Sequence, residues 1–85
     1  MASPFDSEIN IHAARLQWQA LGNLRKAQEY ATAACETEPN KAAYRRVFGQ
    51  ILKAAGLKSD ARRELEAAMK LDPKDSEARA ELKSL

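Results

Sequence analysis

Few side chains in this 85-residue chain could do acid–base or covalent work: one histidine, His12, and one cysteine, Cys35. Histidine titrates near neutral pH and serves as a general base or a metal ligand. A metal centre needs three or four ligands, and no second histidine or clustered carboxylate accompanies His12. It is expected to be a solvated or groove-lining side chain. A cysteine nucleophile needs an activating partner and exposure. Cys35 falls on the apolar side of its helix, with Ala27, Ala31 and Ala34, so a packed, inert thiol is expected. The paired cations Arg45-Arg46 and Arg62-Arg63 raise the reading of a helical-repeat RNA binder. Adjacent helical residues point about 100° apart, so neither pair makes one patch. Glu29, Glu64 and Glu66 are expected as their surface partners. There is no glycine-rich phosphate loop, Ser/His/Asp set or paired-carboxylate arrangement. No enzyme activity, metal or cofactor is expected.

The balance of the chain points the same way. Its net charge is +2, with both signs interspersed, which is not the footprint of a nucleic-acid or membrane-surface binder. A single cysteine allows no internal disulfide. No apolar run approaches the roughly 20 residues that span a bilayer. Met1-Ala2-Ser3-Pro4-Phe5 lacks the pattern of a signal peptide, so a cytoplasmic location is expected. The apolar fraction is 45%, much of it alanine, which suits close helix packing more than a thick core.

The elements that must carry these residues are helices. After a leader over 1–7, with Asp6 or Ser7 as cap, helix one is expected over 8–21. Its stripe is Ile11, Ala14, Trp18 and Leu21. Gly22-Asn23 ends it. Helix two is expected over 24–37, with Ala27, Tyr30, Ala31, Ala34 and Cys35 inward, and Pro39 stops it. Helix three, over about 41–55, carries Tyr44, Phe48, Ile51, Leu52 and Ala55, and Gly56 ends it. Helix four, over about 58–71, carries Ala61, Leu65, Ala68, Met69 and Leu71, and Pro73 ends it. Asp75 or Ser76 caps a short fifth helix, about 76–84. The short connections make sequential helices antiparallel neighbours.

Much of this punctuation recurs at a spacing of 34: Gly22 and Gly56, Ala27 and Ala61, Ala34 and Ala68, Pro39 and Pro73. A fixed period of this length marks a stacked helical repeat. With Ile11, Ala14-Arg15, Trp18, Ala27, Ala31 and Pro39 in one unit, and Arg45, Phe48-Gly49, Leu52, Ala61, Leu65 and Pro73 in the next, the chain resembles the tetratricopeptide repeat family. Two positions depart from the family pattern, Arg45 for an aromatic residue and Arg15 for a small one.

The resemblance implies an all-α, right-handed helical-repeat array of two antiparallel hairpins, over 8–41 and 42–75, with a capping helix over 76–85. It implies close helix crossings at Ala27 and Ala61, and a concave groove lined by the first helix of each unit. The groove-facing residues would be Ile9, His12, Leu16 and Gln19, then Ala43, Arg46, Gln50 and Lys53, then Glu77, Ala80 and Ser84. The function implied is a protein-interaction module, an adaptor or scaffold, that takes a peptide or helix of a partner protein. Arg46, Gln50 and Lys53 would suit an acidic peptide. The family's full set for clamping a terminal carboxylate is absent, because His12 and Leu16 stand where Lys and Asn would. A second reading is structural: two units are fewer than such arrays usually need, so self-association or membership of a longer assembly is the alternative. Phe5, Ile9 and Ile11 would form an uncovered apolar strip for a weak homodimer.

Overall fold

The computed structural model of the protein describes residues 6–85. They form five helices: α1 (Ser7–Arg15), continued by a π-helical segment over Leu16–Ala20, then α2 (Leu24–Thr37), α3 (Ala42–Ala54), α4 (Lys58–Leu71) and α5 (Ser76–Lys83). No strand occurs among the described residues. None of these helices is long and apolar enough to cross a membrane. The leader residues 1–5, including Phe5, lie outside the described residues.

Local chemistry explains the helix ends. A helix start leaves unbonded N–H groups that a short polar side chain can accept. Asp6 accepts from the Ile9 N–H at 3.0 Å, Asn23 from Lys26 at 3.1 Å, and Asp75 from Ala78 at 3.1 Å. Asn23 therefore starts α2 as well as following the end of the preceding helix. Gly22 and Gly56 adopt left-handed backbone, with φ of 66° and 82°, which a residue with a Cβ adopts at a cost.

Each helix packs on the next in sequence, and α3 also touches both α1 and α5. The pairing registers give direction. Arg45 meets Glu64 while Gly49 faces Ala61 and Leu65, so α3 and α4 run antiparallel. Arg46 meets Asp75 while Lys53 meets Glu81, so α3 and α5 run parallel. Helices α1, α3 and α5 thus lie side by side. One core runs through α1, α2 and α3, with Trp18, Tyr30 and Phe48 packed against it. A second joins Leu65 and Ala68 of α4 to Ala78 of α5. Ile51, Leu65 and Val47 are the largest fully buried apolar side chains, each contributing roughly 1.5–3 kcal/mol on burial.

The alanines expected at close crossings, Ala27 and Ala61, are fully buried. Gly49 shows how tight the α3–α4 crossing is: a Cβ there would lie 2.6 Å from Leu65 Cγ and 2.9 Å from Leu65 Cδ2.

The helices depart from expectation in four places. Helix one is not uniformly α-helical. The Leu21 N–H reaches the Leu16 carbonyl at 3.1 Å and the Asn23 N–H reaches Gln17 at 2.7 Å. A wider π turn shifts the phase of everything beyond it, so Leu21, expected on the buried stripe, is 63% exposed. Leu71, expected inward, is also exposed, at the last position of α4. Ile11 is buried in the first core, as its place on the helix-one stripe implied and contrary to its reading as part of an uncovered strip. Asn10 is fully buried one residue before it, a place sequence patterning would give to an apolar residue.

Candidate interaction site

The expected groove residues lie on α1 and its π-helical continuation, on α3 and on α5, in two electrostatic states. On α1, Ile9 is 59% exposed and Leu16 is 55% exposed. His12 and Gln19 are exposed beside them, and so is Ala43 on α3. Two large apolar side chains left in water on one helix face form a surface that gains from being covered.

On α3, Arg46 and Lys53 are already engaged. Asp75 lies 2.8 Å from Arg46 Nη1, and Glu77 lies 3.1 Å from Arg46 Nε, though without hydrogen-bond alignment. The Arg46 side chain is 16% exposed and that of Asp75 only 4%. Lys53 donates to Glu81 at 2.9 Å and also to Ser84. The expectation that Arg46 and Lys53 stand free in solvent is thus corrected. The acidic face of α5, made by Asp75, Glu77 and Glu81, takes up their charge, and Gln50 between them is half-buried. Glu77, expected in the groove on its own account, belongs to this ion-pair cluster, while Ala80 and Ser84 are exposed.

Between α1 and α3 lies a cleft of about 260 Å³ lined by Glu8, Ile11, His12, Arg15, Lys41, Ala43, Tyr44 and Val47. Lys41 Nζ sits 5.4 Å from the Tyr44 ring centroid, a cation–π distance. Among the described residues neither Arg15 nor Lys41 is within ion-pair distance of a carboxylate. Sequence reasoning placed His12 and Ala43 here but missed Arg15 and Lys41. The signal for them was the departure of Arg15 from a small residue.

The remaining chemistry is structural. Arg45 pairs with Glu64 at 2.8 Å and donates from Nε to the Pro39 carbonyl at 3.2 Å. The hydrogen bond that Arg45 donates to Glu64 raises the pKa of its guanidinium above the ordinary value. Of the acidic partners expected for the arginine pairs, Glu64 is realised, and Arg63 turns to Asp60 at 2.7 Å on its own helix. Cys35 is buried. Loss of hydration pushes its thiol up from an ordinary 9.0 to about 11, partly opposed by the nearby Arg45 charge. No group of three His, Cys, Asp or Glu residues that could hold a metal ion occurs among the described residues. No family model and no curated protein matches the chain.

Proposed function

We propose that this chain is a tetratricopeptide-type repeat module that binds a segment of a partner protein on its α1–α3–α5 side, the concave side of such an array. The observation that carries this is the exposure of Ile9 and Leu16 on one face of the first helix, beside the α1–α3 cleft. A surface of this kind, with exposed apolar side chains set among polar ones, suits a peptide or helix that covers it. The repeat character is supported by features that recur at a spacing of 34. Gly22 and Gly56 share left-handed backbone. Ala27 and Ala61, and Ala34 and Ala68, are fully buried. Arg45 donates to the Pro39 carbonyl and Arg79 to the Pro73 carbonyl, each spanning six residues.

The test is site-specific photocrosslinking in a cell extract. A photoreactive residue at Gln19 captures a partner polypeptide, whereas one at Arg62 on α4 does not. The double variant Ile9→Asp/Leu16→Asp then binds the identified partner at least tenfold more weakly with an unchanged melting temperature, since both residues are exposed. Equal capture from both positions, or unchanged affinity, contradicts the assignment.

The same exposed pair favours one alternative, self-association within a longer assembly. It predicts that sedimentation across a wide concentration range gives a mass that rises with concentration, and that Ile9→Asp abolishes the rise.

A further inference from the structure

The two boundaries between neighbouring first helices, α1–α3 and α3–α5, correspond residue by residue at the spacing of 34, and their charges differ. At α3–α5 the cation Arg46 faces Asp75 and Glu77, and Glu81 lies further along the same helix, paired with Lys53. At α1–α3 the corresponding residues are His12 for Arg46, Lys41 for Asp75, Ala43 for Glu77 and Val47 for Glu81. All four line the α1–α3 cleft. Every carboxylate of the second boundary is thus replaced in the first by a cation, a methyl group or an isopropyl group. Arg15, which lies 34 residues before Gly49 in sequence, adds a second full positive charge to the cleft. Among the described residues, Glu8 is the only acidic one lining the cleft. The molecule therefore holds carboxylates at one boundary and, at the corresponding place on the other, has space, positive charge and no carboxylate from the facing helix.

We infer that the α1–α3 cleft is a carboxylate-binding subsite for an acidic segment of a partner polypeptide, whose Asp or Glu side chain takes the place that Glu77 holds beside Arg46. Arg15 and Lys41 supply the charge, exposed His12 a further donor, and Val47 with Ile11 an apolar floor. Charge complementarity identifies the occupant: among the described residues Arg15 and Lys41 stand without an ion pair, in the same molecule that neutralises Arg46 and Lys53 through α5. Exposed Ile9 and Leu16 on the same helix favour a polypeptide over a free small acid, because they offer apolar contact that a small acid would not use. This subsite rests on the partner-binding role proposed above and assigns the chemistry of one part of that surface.

The experiment uses the full chain and a dye-labelled, N-acetylated and C-amidated peptide of alternating glutamate and leucine. Glutarate and an equally long lysine–leucine peptide are the comparisons. The acidic peptide is expected to bind saturably and more weakly as salt is added, with amide shifts centred on His12, Arg15, Lys41 and Ala43. The decisive variant is Ala43→Glu, which builds the missing carboxylate into the cleft. It should weaken the peptide at least tenfold without lowering the unfolding midpoint. Arg15→Gln/Lys41→Gln, two exposed positions, should weaken it at least fivefold, whereas Arg63→Gln on α4 should stay within twofold. If Ala43→Glu does not fold, the glutamine pair decides in its place.

The inference is overturned if no saturable binding occurs at millimolar peptide, or if the shifts map to α2 and α4. It is also overturned if Ala43→Glu and the glutamine pair bind like the parent, or if glutarate binds as tightly as the peptide. A crosslinked partner that is lost with Ile9→Asp/Leu16→Asp but not with Ala43→Glu removes the carboxylate subsite and leaves the partner-binding role standing. A partner lost with neither removes both.

Discussion

The hairpin of α1 and α2 and the hairpin of α3 and α4 carry glycines, alanines and prolines at a common spacing of 34 but place small and large residues differently. In the second, Gly49 on α3 admits Leu65 of α4 so closely that a Cβ would clash with its side chain. In the first, the corresponding residues are Arg15, exposed at the surface, and Ala31, fully buried. The bulk has moved from the inside of the crossing to the outside. The first hairpin also carries a π turn, where the second has regular α-helix. The second hairpin is tied to α5 by ion pairs, while its counterpart boundary at α1–α3 opens into a positively charged cleft. The two hairpins share glycines, alanines and prolines at a spacing of 34 but differ in what fills the space between them.

The largest break in this comparison comes from Leu65→Ala. It empties the crossing at a fully buried site and should cost about 3 kcal/mol in chemical denaturation. A loss below about 1 kcal/mol would mean that the contact with Gly49 is not what holds α3 to α4.

Gly49→Ala should cost about 1–3 kcal/mol through overpacking, even though alanine favours helix by about 1 kcal/mol over glycine. Combined with Leu65→Ala, its effect should shrink or change sign, because the two residues share one space. Arg15→Ala, at the corresponding exposed position, should stay within about 0.5 kcal/mol. Equal effects at Gly49 and Arg15 would erase the difference between the hairpins.

Asp75 sharpens the contrast at the helix boundaries, because it both caps α5 and pairs with Arg46. Asp75→Asn keeps an acceptor for the Ala78 N–H and removes the charge. It should cost about 1 kcal/mol, a loss that shrinks in high salt. Asp75→Ala removes both and should cost about 2 kcal/mol. If the two substitutions cost the same, the cap contributes nothing.

Cys35 gives the smallest effect. Its folded-state pKa is raised from 9.0 to about 11, so the folded chain keeps a proton that the unfolded chain releases. The contribution is intact below pH 9 and is lost as pH rises from 9 toward 11. By pH 10 this should remove on the order of 1 kcal/mol. Subtracting the pH profile of Cys35→Ala isolates it from the rest of the chain. Profiles of the same slope would mean that Cys35 is hydrated in the folded state.

The helices were legible in the sequence because their determinants are local. Gly22, Gly56, Pro39 and Pro73 stand at or just beyond their ends, Asp6 and Asp75 cap them through three-residue spacing, and most of the buried stripes follow the helical period. The π turn was not legible, since no proline or glycine marks residues 16–20, and with it went the burial of Leu21. Ile9, His12, Leu16 and Gln19, which the tetratricopeptide resemblance implied as groove-facing, are exposed. The state of Arg46 and Lys53 could not be read, because their partners lie 28 to 31 residues away in sequence on α5, and a charge on a helix face does not announce which neighbour will meet it. That Arg15 and Lys41 line one cleft was hidden for the same reason. Buried Asn10 went unnoticed because polarity at one position says nothing of the packing above it.

Native-state hydrogen exchange tests the division between the two hairpins most directly. The amides of Ile51, Leu52, Leu65 and Ala68 should exchange only through global unfolding, while those from Ala20 to Asn23, at and beyond the π turn, should open at least 2 kcal/mol more easily. Exchange at one common free energy in both hairpins, or slower exchange at the π turn than in α3 and α4, would contradict the account.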